Sequence, residues 1–467
     1  MIPFFPKQIS NRAIIVYVTA LAAVSIVFMS YAMQFGYIAL GLLWVIGFFY
    51  LVSSCSKVWL KVSDKTFVSY LFWTAFVLRI IWVIASYFFY IQATGIPFEF
   101  QARDSLGYHG DAEWLAGEPW SMTGAYLFGN YIGISDSGFP FYLTIIYKIF
   151  GTSIIIPRII NALLGAWTCC VVYRLSSRTF GEEVGRMAGV MMVFMPNLII
   201  YCGYHLKETL MLFLEVAFME RADAMIRSKS LSFLGVLVPS LIAGSLFFFR
   251  TALGSAALFA LSSAILISSA PAMKRNGKRV ALIAWGVFAL MVFAGGTIAS
   301  EVESLWEGRG ENLLKKRTEQ TLRGNQWAQY ATATVMAPMI TVLPFATMVN
   351  VDEQYAQQAK SGGNYIRNFM GFFVFIAVFE AIRRKRWRDF VLIGAFVAAY
   401  LGIVALSGFN NSERFLLPGI PGLVMMWAYG VSTLREKTFK FLTPWCVIVF
   451  VMEFAWAYFK LGSRGIL

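Results

Sequence analysis

Thirteen mostly apolar stretches recur along the chain, at 14–32, 35–53, 66–93, 153–175, 183–203, 206–224, 232–250, 253–271, 279–299, 363–383, 388–407, 413–433 and 441–461. About 20 such residues, coiled as a helix, cross the roughly 30 Å hydrocarbon core of a bilayer. Lipid offers a backbone no hydrogen-bond partners, so each stretch is expected to be a helix. Of 467 residues, 58% are hydrophobic and 14% charged, with a mean hydropathy of +0.66. Those values exclude a soluble globular domain. The sequence predicts an all-α polytopic integral membrane protein of about 13 transmembrane helices. No small-residue cleavage site follows the first stretch, so it is expected to be a retained span.

The basic residues give an orientation. With the N-terminus taken as cytoplasmic, the inner segments hold Lys7 and Arg12, Lys57, Lys61 and Lys65, Arg174, Arg178 and Arg186, and Arg221, Arg227 and Lys229. They continue with Lys274, Arg275, Lys278 and Arg279, the run RRKRWR at 383–388, and Arg435, Lys437 and Lys440. Together these are 23 of the 39 Lys and Arg, in short loops, as the positive-inside rule requires. The net charge of +14 is therefore read as topology and contact with anionic membrane lipids, not as a nucleic-acid partner. Segments 94–150 and 300–362 fall outside, as does the C-terminus. The apolar segment 329–349 is interrupted by Pro338 and Pro344, and making it cross would turn RRKRWR outward. It is expected to be a re-entrant or interfacial element on the outer face.

The longest polar interruption early in the chain, 94–150, opens TGIPFEFQARDSLGYHGDAEWLAGEPW. It gathers Asp104, Tyr108, Asp111 and Glu113 beside His109, one of two histidines in the protein. Carboxylates at a membrane mouth suit proton transfer on a lipid-linked substrate. Asp104 and Asp111 are seven residues apart and would share a helix face two turns apart. Asp111, Glu113 and Glu118 read first as solvated loop charges. Trp114, Trp120, Tyr126 and Tyr131 read as an interfacial aromatic belt.

Cations near the outer ends of spans, where charge is expensive to place, mark where an anionic group of such a substrate would be held. Lys207, Arg250, Arg414 and Arg158 qualify as phosphate-binding residues, each weighed against a snorkelling side chain at a span end. His205 and Glu208, beside Lys207, and Tyr108 and His109 in the loop are candidate substrate contacts; for His205 a plain capping role competes. Arg79, deep in 66–93, is expected to pair with a backbone carbonyl or an acid inside the bundle. The basic run Lys315, Lys316 and Arg317 reads first as a solvated amphipathic helix.

Other chemistries are poorly represented. Cys55, Cys169, Cys170, Cys202 and Cys446 lie in or at the ends of spans without metal or redox spacing. No Gly-rich phosphate loop, nucleophile elbow or HExxH occurs, and two histidines exclude a multi-His centre. No metal and no cofactor are expected. No internal repeat of fixed period is visible, which weakens a transporter built from inverted repeats.

The order of several elements carries a resemblance. Asp104, Tyr108 and Ala112 recur at four-residue steps, followed by GFPFYLTIIYKIFG at 138–151 and RIINALLGA at 158–166. MPNLIIYCGYHLKETLMLFL at 195–214 and SERFLLPGIPGLV at 412–424 complete the series. This order resembles the polyprenyl-phosphate-sugar-dependent glycosyltransferases of the GT-C class, the group of bacterial lipid A aminoarabinose transferases and protein O-mannosyltransferases. The resemblance covers roughly 66–435, leaving 1–65 as an extra helix pair and 436–467 as a last helix. It implies a helical bundle whose long first outer loop carries the catalytic acid, which falls on Asp104. Asp104 is followed by Ser105 where the protein mannosyltransferases have a second acid, so Asp111 is the nearest substitute. The implied donor is a sugar on an undecaprenyl-type phosphate. The implied acceptor is a glycan, lipid or protein on the extracytoplasmic face of the plasma (inner) membrane. A polysaccharide polymerase or ligase using diphosphate-linked glycans, and a lipid-linked sugar flippase or transporter, remain as alternatives.

Overall fold

The computed structural model describes residues 2–128, 133–268, 342–351, 354–406 and 413–463, together with Gly277, 279–282, Gly286, Met339, Gly465 and Ile466. The described residues form a helical bundle. In chain order, α1 is Lys7–Val27, α2 Phe35–Val58, α3 Asp64–Thr94, α4 Arg103–Gly117, α5 Trp120–Leu127 and α6 Ile134–Phe150. Next come α7 Ile155–Phe180, α8 Glu182–Phe194, α9 Pro196–Ile200, α10 Glu208–Arg227, α11 Phe233–Ser245 and α12 Thr251–Ile267. The chain closes with α13 Ser361–Arg383, α14 Val391–Leu406, α15 Ile420–Ser432 and α16 Leu442–Gly462, joined by shorter turns.

Eight helices among the described residues are long and apolar enough to cross a membrane, or nine if a bent pair counts as one span. Hydropathy alone reads thirteen, and not every one of those stretches is such a helix among the described residues. Stretch 206–224 falls on α10, whose Glu208, Glu215, Glu220, Arg221, Asp223 and Arg227 make it too charged for a lipid-facing span. Stretches 232–250 and 253–271 form shorter apolar helices, Phe233–Phe248 and Thr251–Ile267. Most of 279–299 lies outside the described residues. Stretch 183–203 is a helix broken at Pro196, its halves meeting at 54°.

That break explains a buried arginine. Proline at 196 has no N–H, so the carbonyl of Met192, four residues earlier, loses its helical donor. Arg79, fully buried midway along α3, fills the gap: Nη2 donates to Met192 O at 3.1 Å and Nη1 to Val193 O at 3.4 Å. A Cβ on Gly165 would lie 2.7 Å from Arg79 Nε, so only glycine there lets α7 approach this close. The expected backbone pairing of Arg79 is what the structure contains. Its neighbours on α3 show why it points inward. Phe67, Leu71, Ala75, Arg79, Val83, Ser86 and Tyr90 recur every three to four residues as the buried stripe.

The two ends of the bundle differ in chemistry. At one end Arg186 pairs with Asp64 at 2.6 Å and Glu182 at 2.8 Å, and Arg178 with Asp223 at 2.7 Å. There the buried Glu380 also gathers Arg383, Arg384 and Arg435. Helix direction places α4, the start of α10 and the start of α15 at the other end.

Segment 342–351 lies at that other end and is not helical among its described residues. Asn368 of α13 donates to the carbonyls of Val342 and Pro344, and Glu453 of α16 accepts from Ala346 N at 2.9 Å. Asn350 N donates to Tyr31 O at 2.7 Å in the turn between α1 and α2. Irregular backbone within a membrane protein needs such buried partners. The described part of 329–349 is therefore a loop folded against the bundle.

Candidate functional site

The site is built on α4, the first helix of the early polar loop. Its buried residues Ser105, Tyr108, Ala112 and Leu115 follow a helical stripe packed on α6. Asp104 sits at the edge of that stripe, its side chain 53% exposed. Asp104 Oδ2 accepts from Arg414 Nη1, and Arg414 Nε donates to Oε1 of the fully buried Glu208. Arg250 Nη2 approaches the same Glu208 oxygen at 3.5 Å. Glu208 is the first residue of α10, where the helix dipole favours a negative charge. Four residues distant in sequence thus form one chain of alternating charge.

Arg250 is anchored from behind. Its Nη1 donates to the Tyr400 hydroxyl at 2.8 Å, its guanidinium lies 4.4 Å from the Phe415 ring centroid, and Tyr400 donates to Phe415 O at 2.8 Å. Arg414 Nη2 has no hydrogen-bond partner among the described residues.

A second group adjoins the first. Lys207 directs its three protons to Ser135 O at 3.1 Å, Asp136 Oδ1 at 2.5 Å and Phe249 O at 2.6 Å. Tyr108, one turn after Asp104, donates its hydroxyl to the same Asp136 oxygen at 2.9 Å. Partial burial works to raise the Asp136 pKa. The Lys207 ammonium and the hydrogen bonds from Lys207 and Tyr108 outweigh it and hold the carboxyl below its usual range. Asp136 is therefore ionised at neutral pH. Sequence reasoning missed it; the available signal was an acid in the first turn of a helix reading ISDSGFP.

The histidines form a third group. His109 Nδ1 lies 2.8 Å from the Tyr147 hydroxyl, which lies 3.1 Å from His205 Nε2. Burial lowers the pKa of both, and for His205 the drop is well below the usual range, with Arg158 adding to it. His205 is fully buried, which replaces the expected surface cap. Arg158, also buried, donates to Pro97 O at 2.5 Å and stands 5.8 Å from the Phe98 ring. Glu99 accepts from Ser105, and burial raises its pKa against that bond.

Among the described residues, Asp111 is joined to the second group only through Tyr126, which feels the charge of Asp136. Tyr126 donates to Asp111 Oδ2 at 2.7 Å, and Tyr126 is buried beneath the loop where a lipid-facing belt was expected. Trp114 and Trp120 are exposed; Tyr131 and the run 315–317 lie outside the described residues. Beside Arg414, the buried Glu413 accepts from Asn197 at 2.5 Å and Tyr201 at 2.9 Å and pairs with Lys360 at 2.9 Å. The sequence placed Glu413 in a quoted motif but gave no sign of this pairing. Among the described residues no cluster of three or more His, Cys, Asp or Glu is arranged to hold a metal ion.

No protein-family model matches the chain, and no curated protein matches it. Among solved structures, it is similar to the oligosaccharyltransferase of Archaeoglobus fulgidus in complex with zinc and sulfate, at 10% identity and a TM-score of 0.48. That similarity covers 84% of this chain and 53% of the other. The same protein tethered to an acceptor peptide containing the NVT sequon gives 12% identity and a TM-score of 0.46, over 86% of this chain and 56% of that one. The chain thus spans about half the length of either structure.

Proposed function

We propose that the protein is a membrane glycosyltransferase. It moves a sugar from a polyprenyl phosphate of the undecaprenyl type to a glycan, lipid or protein acceptor on the extracytoplasmic face of the plasma membrane. The observation that carries this reading is the Asp104–Arg414–Glu208–Arg250 chain at one mouth of a membrane bundle, opposite the basic end. It combines a half-exposed carboxylate with two arginines.

Asp104 is assigned as the general base that takes the acceptor's proton, and Arg414 as the main contact to the donor phosphate, with Arg250 behind it. A phosphate bound bidentately by Arg414 competes with Asp104 for the guanidinium. Donor binding then releases the Asp104 carboxylate to accept a proton when the acceptor arrives. The arginines stabilise the charge left on the departing phosphate. Arg158 contributes positive potential to the same mouth, Lys207 stands there neutralised by Asp136, and Glu208 holds both Arg414 and Arg250 in place. His109, held neutral by burial, can accept or donate a hydrogen bond to substrate without adding charge, while the fully buried His205 is linked to it through Tyr147.

The reading is tested with the full chain in lipid nanodiscs and radiolabelled hexose or aminopentose on polyprenyl phosphate. Transfer of label to membrane-extract acceptors, lost in Arg414→Ala, supports it. Absence of transfer from every phosphate-linked donor, with transfer from a diphosphate-linked glycan, would replace it with the polymerase or ligase reading.

A further inference from the structure

Lys207 is an expensive residue to keep where it is. It is buried, yet all three of its protons are committed to Ser135 O, Asp136 and Phe249 O. In that state it has none left for a substrate phosphate. What the arrangement does achieve is to fix one carboxylate. Lys207 and Tyr108 both donate to Asp136 Oδ1, while Oδ2 accepts no hydrogen bond among the described residues. The Asp136 side chain is 54% exposed, so the carboxylate is reachable from solvent. Backbone packing fixes the same position. A Cβ on Gly138 would stand 2.8 Å from Phe248 O, so glycine allows the first turn of α6 to lie directly on the turn that precedes Arg250.

We propose that Asp136, oriented by Lys207 and Tyr108, reads a hydroxyl group of the transferred sugar. This rests on the glycosyltransferase reading above and adds a specificity-determining residue to it. Three features favour a neutral hydroxyl over other ligands. The pair with Lys207 has no net charge, so it offers a cationic amine little attraction. One oxygen is saturated by two donors, and the other, like any carboxylate oxygen, only accepts, so its partner must be a hydrogen-bond donor such as a hydroxyl. The link through Tyr108, one turn from Asp104 on α4, puts Asp136 on the wall that also carries the base. No bond is made or broken by Asp136. Lys207 is a positioning residue: it fixes which carboxylate oxygen is presented.

The test uses the full chain in nanodiscs with short-chain polyprenyl-phosphate hexoses and their singly deoxygenated analogues, measuring both kcat/KM for transfer and Kd. In the wild type one deoxy analogue should lose about tenfold to a hundredfold, the worth of a hydrogen bond to a charged acceptor. In Asp136→Asn and Asp136→Ala that penalty should shrink toward onefold, while penalties at other positions persist. Lys207→Met should shrink the same penalty and no other. Equal losses on every analogue in all three variants would make the group merely structural and overturn the inference, with transfer itself intact. A penalty tied to an amino group instead of a hydroxyl would overturn it as well. If the wild type binds the hexoses with this Asp136-dependent penalty but transfers none, the glycosyltransferase reading fails and the hydroxyl contact stands.

Discussion

Asp104 and Arg414 are 310 positions apart in the chain and form an ion pair at the mouth of the bundle. One comes from the loop after the third helix and the other from the turn that leads into α15. The pair exists only when early and late parts of the bundle have closed on each other. Arg414 is shared with Glu208, and that asymmetry decides what each substitution should do. Asp104 is half exposed; Glu208 is fully buried.

Arg414→Ala should destabilise the protein far more than Asp104→Asn. Removing the arginine leaves the buried Glu208 with only Arg250, at 3.5 Å, and breaking a buried pair costs about 3–5 kcal/mol. An exposed pair of the Asp104 kind is worth about 0–1 kcal/mol. Apparent Tm in detergent checks the ordering. Equal Tm values for the two variants would contradict the assignment of Glu208 as the dependent partner.

The Lys360–Glu413 pair should behave as a coupled unit. Both side chains are buried, and Glu413 also accepts from Asn197 and Tyr201. Glu413→Gln alone leaves an uncompensated ammonium, a loss of about 3–5 kcal/mol. Adding Lys360→Met should recover part of it, with a coupling energy of about 0.5–3 kcal/mol. Additive losses in chemical denaturation would show that the two charges do not depend on each other.

Much of this was legible in the sequence, for identifiable reasons. Arg79 announced itself because a charge inside an apolar stretch needs a partner, and the partners proved to be carbonyls exposed by Pro196. Lys207, Arg250 and Arg414 were picked out as cations at the same end of spans and Asp104 by its place in the order of motifs, and Asp104, Arg414, Glu208 and Arg250 form one chain. Asp136 was not legible, since it gains meaning only from Lys207, 71 positions later. Glu413 was hidden in the same way by partners at Asn197, Tyr201 and Lys360. Hydropathy alone did not show the charges of α10 in their setting: the helix is apolar between them, yet Glu208, Glu215 and Asp223 are all buried.

Stability should fall on mild acidification because of His205. Its folded pKa is depressed by burial and by Arg158, while the unfolded chain titrates near the ordinary value of 6.5. The unfolded state therefore binds more protons below that value. The His205 contribution is complete above it and is lost as pH falls from about 6.5 toward the folded pKa, by at most ~1.4 kcal/mol per pH unit. His205→Gln should flatten this part of a Tm–pH curve measured between neutrality and pH about 5. An unchanged slope would contradict the assignment.

Topology gives a separate check. In a background with the five native cysteines replaced, Leu106→Cys on α4 should react with a membrane-impermeant maleimide in intact cells. Lys437→Cys, beside the basic end, should react only after permeabilisation. The reverse pattern would turn the mouth toward the cytoplasm and remove the extracytoplasmic reading.

The central claim is that Asp104 is the base of a sugar transfer, and Asp104→Asn tests it most directly. Asparagine keeps the size and the acceptor oxygen facing Arg414 but cannot take the acceptor's proton. Transfer of labelled sugar from polyprenyl phosphate is measured in nanodiscs, with donor Kd and Tm measured separately. The predicted result is a fall in kcat of about 10²–10⁴-fold, with donor binding and folding retained. Asp111→Asn, which removes the charge but keeps an oxygen for the Tyr126 hydroxyl, should have a smaller effect alone. Full transfer activity in a well-folded Asp104→Asn protein would contradict the account and remove Asp104 as the base.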